Sequence, residues 1–407
     1  MPSLSRVNFS VTTYKFFVFY LIVSLFAPPI PIGIGNSDSF ISFGIFVITL
    51  FIVWRTLKLK FEFLTPFKPY GFFVSSLVFF IIIHSLYFLL LVHNINVFLY
   101  EIQWIVYFLG LALLIFDIFQ NQELQNKLLK STIFLHFLLG ITGIISSFTG
   151  PFYSYAVGWY DGRYGFNVFR AIGTSGSANG LAGSMAIFLI ITILSPKEWL
   201  PFKKTYLIFV FGLTLILTQS KSGFLAFLLG FGVLVFIQFL FNVSLKKLYN
   251  LYFLMGLFVG LIFLLKNFIS IAINDSSNRV NYTKHVLLQY EESNFLNKLF
   301  GLGFRQTAYI NSETLGWVTA HNSYVSLLAE IGLIGFGLII GIIITSIFVL
   351  LKKKLWSILG GLLVYLFHLY SEGFLYGSTY IFYLMLFFST ALYYNKNTQK
   401  VTVELNP

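Results

Sequence analysis

Apolar stretches of about twenty residues recur along almost the whole chain, each long enough to cross a bilayer core of about 30 Å as a helix. Twelve candidate spans fall at roughly 14–31, 38–54, 70–92, 97–119, 128–148, 178–195, 205–219, 223–241, 249–269, 323–350, 355–370 and 376–394. Only 10% of the 407 residues are charged, against about 25% in soluble domains, which excludes a water-soluble globule. The net charge of +12 does not point to nucleic acid, because the basic residues sit in short clusters between apolar runs. The reading is an all-α polytopic membrane protein, one integral membrane domain over 1–407.

In the first span Ala27 is followed by Pro28, Pro29 and Pro31 without a small-residue cleavage pattern, so it reads as an uncleaved helix. Orientation follows from Lys and Arg. With both termini cytoplasmic, that side receives 18 of the 26, among them Arg55, Lys127, Lys203, Lys204 and Lys352 to Lys354. Two longer connections then face outward. One, 149–178, carries Tyr153, Tyr155, Trp159, Tyr160, Asp161, Arg163 and Arg170; the other, 270–322, carries Arg279, Lys284, Arg305 and His321. Long connections on a rigid scaffold are where binding groups are displayed, although a tolerated insertion is the alternative. Within the second, 279–294 suits a short interfacial helix. Gly256 with Gly260, and Gly337 with Gly341, are spaced for close helix approach. No internal repeat and no matched pair of broken spans marks an alternating-access transporter.

With no cysteine, the chain has no thiolate nucleophile and no Cys-ligated metal. Walker-type, HExxH and GxSxG motifs are absent, and the outward carboxylates form no cluster with metal-ligand spacing, so neither metal nor cofactor is expected. His321 precedes Asn322, Ser323 and a long apolar run, hence a helix N-terminus, where the dipole favours a neutral imidazole able to act as a base. The alternative is that the His-Asn pair only caps the helix. Arg170 opens RAIGTSGSANG, a glycine-rich turn that can bring N–H groups to an anion. Lys221 reads either as a phosphate contact or as a span-end residue snorkelling to the interface. Glu330, nine residues past His321, is too deep to orient the imidazole and suits a hydroxyl or Lys partner on a neighbouring helix. His84, His136 and His368 read as packed or hydrogen-bonded, the aromatics of 153–160 as interfacial or sugar-stacking, and Glu101 and Glu372 receive no role.

The stretch HNSYVSLLAEIGLIG, His321 to Gly335, resembles the HNxxLxxLxExGxxG signature of the O-antigen ligase and Wzy-type polymerase superfamily. Arg170 with RAIGTSGSANGLAG, LTQSKSGFLAF, and Arg279 followed by Leu302-Gly303-Phe304 resemble its upstream elements in the same order. Where that family commonly has Arg in the second of these, the SR element, this chain has Lys221. The resemblance implies a GT-C-like, metal-independent glycosyltransferase in a bacterial inner (cytoplasmic) membrane, working on the extracytoplasmic face. It implies that Arg170, Arg279 and Lys221 bind the pyrophosphate of an undecaprenyl pyrophosphate-linked glycan donor, that His321 serves the acceptor hydroxyl, and that Asn322, Gly301, Gly303 and Arg305 support the site. The implied reaction polymerises lipid-linked repeat units into O-antigen, capsule or exopolysaccharide, with a chain-length regulator as a further partner. Transfer of the glycan to lipid A core is the alternative, and a lipid-linked oligosaccharide flippase or transporter the more distant one.

Overall fold

The computed structural model describes residues 4–27, 30–32, 39–41, 43–59, 70–90, 92, 95–152, 168–175, 177–241, 277–304, 306–307, 320–372 and 378–394. Among these, the helices are α1 (Leu4–Phe26), α2 (Gly44–Leu59), α3 (Tyr70–Leu90), α4 (Ile95–Phe119), α5 (Gln122–Thr149), α6 (Ala178–Leu194), α7 (Lys204–Leu217) and α8 (Lys221–Phe241). They continue as α9 (Ser277–Glu292), α10 (Phe295–Phe300), α11 (Ser323–Lys353), α12 (Trp356–Ser371) and α13 (Ser378–Tyr393). Eleven of the twelve expected spans coincide with one of these helices; the twelfth, 249–269, lies outside the described residues, as do Gly256 and Gly260.

Among the described residues, six helices are long and apolar enough to cross a membrane, and α6, α7, α12 and α13 are shorter apolar helices. Phe79, Leu50, Phe209, Ile344 and Phe348 are each more than half exposed, a surface suited to lipid and not to water. The molecule is a helical membrane protein. The second span begins later than expected, because Ser39–Ile41 instead forms a short strand antiparallel to Ile30–Ile32. The helix expected at 279–294 is present as α9.

Helix α6 is buried over nearly its whole length, enclosed by α5, α7, α8 and α12. Small residues permit this: Gly223 of α8 lies against Ala182, where an added Cβ would come within 2.4 Å. Gly341 of α11 meets Phe73 closely in the same way, but Gly337 faces open space, so only half of that glycine pair serves packing. Buried ionisable groups in the helices are paired. Arg55 donates to both carboxylate oxygens of Asp117, at 2.7 and 3.1 Å. His84 Nδ1 lies 2.7 Å from Glu101 Oε1, which gives Glu101 its role. His136 contacts Thr132 O and the Tyr383 hydroxyl, and His368 the Tyr380 hydroxyl, so all three histidines are packing residues.

The expected single span 323–350 is interrupted. Gly332, with φ 64° and ψ −174°, breaks α11 two residues past Glu330, and the break is filled by the chain following α10. Leu302 N donates to Ala329 O at 2.7 Å and Gly303 N to Glu330 O at 3.0 Å, so carbonyls at the break find partners where lipid offers none. Glu330 Oε1 accepts from the Thr307 hydroxyl and backbone N–H, the hydroxyl partner expected for it. Gly301 has φ 94°, and a Cβ there would lie 2.2 Å from Glu330 O, so only glycine passes.

A methyl group on Gly332 would sit 2.3 Å from Leu299 O in a backbone region that L-residues rarely adopt. Gly332→Ala is therefore expected to cost about 2–4 kcal/mol and to lower the melting temperature of the detergent-solubilised protein. Gly337→Ala, with open space around it, should stay within about 0.5 kcal/mol of wild type. Equal melting of the two variants would show that the break does not depend on Gly332.

Candidate active site

At one end of the bundle five segments meet: the entry to α6, the α7–α8 turn, the start of α9, the residues before α11 and the end of α12. The α7–α8 connection is tight because Gln219 adopts φ 50° and lets α8 begin at once with Lys221. Arg170 is buried; its Nε donates to Thr218 O at 3.0 Å and its Nη2 to Asn179 Oδ1 at 3.1 Å. Asn179 Nδ2 in turn donates to Glu372 Oε1 at 2.8 Å. Ser220 Oγ donates to Asn179 Oδ1, and Ser222 Oγ to Glu372 Oε1 at 2.9 Å. Arg279 Nη1 reaches Glu372 Oε1 at 2.9 Å and Ser371 O at 3.0 Å.

His321 stands opposite the second carboxylate oxygen, Nδ1 to Glu372 Oε2 being 3.9 Å, which is ion-pair range and too long for a hydrogen bond. Its backbone has φ 49°, a strained conformation for a non-glycine residue that costs of order 1 kcal/mol. The two readings of the His-Asn pair separate here. Asn322 Oδ1 accepts from Tyr324 N and Val325 N and caps α11, which leaves the His321 imidazole to face the cavity, with the Tyr282 ring 6.1 Å away.

Arg170, Lys221, Arg279, Lys284, His321 and Asn322 line one cavity of about 570 Å³. Four cationic side chains around one opening, with Glu372 beneath, leave a surplus of positive charge suited to a multiply charged anion. Arg170, Arg279, Lys221, His321 and Asn322, far apart in sequence, are thus brought together as expected of one site. Gly301 and Gly303 are not at the cavity; they serve the break in α11. Arg305, Arg163 and the aromatics of 153–160 lie outside the described residues. Among the described residues, no three His, Asp or Glu side chains gather as a metal site requires.

Two expectations change. In the glycine-rich entry to α6, Ile172 N and Gly173 N both donate to Ser146 Oγ, and Gly180 N to Ser177 Oγ, so these three N–H groups are engaged within the protein and do not serve an anion. Glu372, given no role from sequence, stands beside both Arg279 and His321, because α12 ends beside residues 279 and 321. Its one legible signal is position, an acidic residue immediately after a span. Asn179, Ser220 and Ser222 fall inside the resemblance elements but carry no charge to draw notice.

Burial pushes the Glu372 carboxyl up, but the His321 ring and the charges of Arg279 and His368 outweigh it and hold the group below its ordinary value of 4.5. A depressed folded-state value means a stabilisation present above the unfolded value and lost as pH falls through the folded one. Thermal stability is therefore expected to drop below about pH 4.5, and Glu372→Gln should flatten that acid limb. An unchanged limb in melting scans from pH 3 to pH 7 would remove Glu372 as its source.

Residues 205–340, about a third of the chain, match the family model described as O-antigen ligase. The match contains Lys221, Arg279 and His321, while Arg170 and Glu372 flank it. A search of curated proteins finds no match. The segment that carries His321 is thus similar to the O-antigen ligase family model, in line with the superfamily that the motifs resemble.

Proposed function

We propose that the protein is a metal-independent glycosyltransferase that polymerises undecaprenyl pyrophosphate-linked repeat units into O-antigen, capsule or exopolysaccharide. One observation carries the reading: Arg170, Lys221 and Arg279 line the same cavity as a single imidazole, His321. Guanidinium groups keep their charge and match phosphate oxygens in a planar fork, so a lipid pyrophosphate is the anion that best fits this wall.

In the reaction, an acceptor hydroxyl attacks the anomeric carbon of the donor sugar and its proton passes to the His321 imidazole. The bond between that carbon and the pyrophosphate oxygen breaks, and the electron pair leaves with undecaprenyl pyrophosphate. Cations at the leaving group gain interaction as its charge develops, which lowers the barrier to this step. The donor bond is already activated, so no nucleotide is consumed. Twelve spans, cytoplasmic termini, and a site on the extracytoplasmic face of a bacterial inner membrane complete the proposal, supported by the Lys and Arg distribution. Donor and acceptor are both lipid-linked glycans, and a chain-length regulator is the further protein partner.

The description of the matched family favours a second reading, transfer of the glycan to lipid A core. The two separate in vitro. Purified protein given lipid-linked repeat units alone should build a ladder of products if it polymerises, and should build none until lipid A core is supplied if it ligates.

Two outcomes test the chemistry. Turnover should persist in EDTA and without ATP, and restoration of a chelated preparation by Mg²⁺ or Mn²⁺ would sink the metal-free mechanism. His321→Ala should abolish product at matched membrane levels. Arg279→Lys should keep part of the activity and Arg279→Gln lose roughly a hundredfold, as expected for a charge-assisted contact of about 3 kcal/mol in the transition state.

A further inference from the structure

Glu372 lies beyond the matched stretch, yet its two oxygens face the two halves of the proposed chemistry. Oε1 accepts from Asn179, Ser222 and Arg279, whereas Oε2 has the His321 ring 3.9 Å away. The carboxylate is almost wholly buried, and the Arg279 side chain is 37% exposed toward the cavity. Arg279 is therefore a cation shared between a buried internal anion and whatever anion enters from the open side. A pyrophosphate offers more charge and more oxygens than one carboxylate, so it competes for the guanidinium on favourable terms. Once Arg279 turns outward, Asn179 and Ser222 still hold Oε1, but the carboxylate has lost its charged donor. A shift of about 1 Å then brings Oε2 within hydrogen-bond reach of His321 Nδ1.

We propose that Glu372 is a positioning residue that exchanges partners, holding Arg279 until a donor pyrophosphate draws that side chain away and then accepting from His321 Nδ1–H. The exchange rests on the roles proposed above for Arg279 and His321. With Nδ1–H committed to the carboxylate, Nε2 carries the lone pair and is the nitrogen that takes the acceptor proton; Glu372 itself receives no proton. The base is oriented only when the leaving group is seated, which makes donor binding precede acceptor activation.

The test is a double-mutant cycle on the full-length protein in detergent, with undecaprenyl pyrophosphate as the probe and lipid-linked repeat units for turnover. Glu372→Gln removes the competing charge while keeping the shape and an oxygen for Asn179, Ser222 and Arg279. It is expected to bind the probe roughly five- to tenfold more tightly and to turn over at least about tenfold more slowly at saturating donor, so that KM and kcat fall together. In an Arg279→Gln background the gain in affinity should vanish, because Glu372 acts through that side chain. Glu372→Asp, one methylene shorter, should move affinity in the same direction by a smaller factor, and it serves if the Gln variant fails to accumulate. Wild-type affinity in Glu372→Gln, a gain that persists without Arg279, or an unchanged kcat would each overturn the exchange. Wild-type protein that does not bind the probe at all would overturn the pyrophosphate reading and the exchange with it. Binding that Arg279→Gln weakens and Glu372→Gln leaves unchanged would remove the exchange alone.

Discussion

A carboxylate that is almost wholly buried must be surrounded by donors, because leaving it uncompensated in a low-dielectric interior costs several kcal/mol. Around Glu372 those donors come from four directions: Asn179 on α6, Ser222 on α8, Arg279 on α9 and, at longer range, His321 before α11. Its own backbone carbonyl accepts from Ser323 Oγ, the first residue of α11, at 2.6 Å. The demand of one buried anion thus draws together helix ends that are far apart in sequence. Arg170 joins the same network through Asn179, so its guanidinium is oriented by groups already fixed. Cations alone would repel one another around this opening; with one carboxylate beneath them they are held in place and still leave a net positive wall.

The break in α11 is the second constraint. A helix interrupted among apolar neighbours needs partners for its backbone groups, and the segment after α10 supplies them. Glycines at 301, 303 and 332 permit the approach, each with positive φ. The consequence reaches the site: the N-terminal piece of α11, capped by Asn322 and carrying His321 just before its first turn, is set by packing on α10 and the 301–307 segment as well as by the rest of the bundle. The Glu, Gly and Gly of the HNSYVSLLAEIGLIG stretch therefore have a mechanical reading. Glu330 anchors Thr307, Gly332 makes the break, and Gly335 lies against Phe80.

Two of the three non-glycine residues with positive φ among the described residues line the cavity, the third being Lys354 at the far end of α11. His321 takes a left-handed backbone conformation and Gln219 another, one on each side of the opening. Such residues persist only when the surroundings over-determine them, and here the capping bonds of Asn322 and the engagement of Gln219 Nε2 by Val168 O do so. The opposite end of the bundle is held by a different set of contacts. There Lys353 donates to Leu392 O and Tyr394 O, and Trp199 to Asn126 and Tyr394, contacts that tie helix ends together.

Hydropathy alone determined most of the helices, because a continuous apolar run of bilayer length has few other ways to satisfy its backbone. Residue type alone singled out Arg170, Lys221, Arg279 and His321, since lasting positive charge and an imidazole are scarce in a chain with 10% charged residues and six histidines. That those groups share a cavity was implied only by the family resemblance and not by the residues themselves, and the division of labour between His321 and Asn322 was not legible at all, for both depend on how distant helix ends meet. Glu372 was invisible for the same reason: its meaning lies in Asn179, Ser222 and Arg279, each some ninety or more positions away in sequence. The break at Gly332 also escaped the pattern, because a glycine in an apolar helix reads the same whether it packs, as Gly341 does against Phe73, or turns the backbone. Only tertiary structure decides between these, since the backbone partners that make a broken helix tolerable come from residues 27 positions upstream, Leu302 for Ala329 and Gly303 for Glu330.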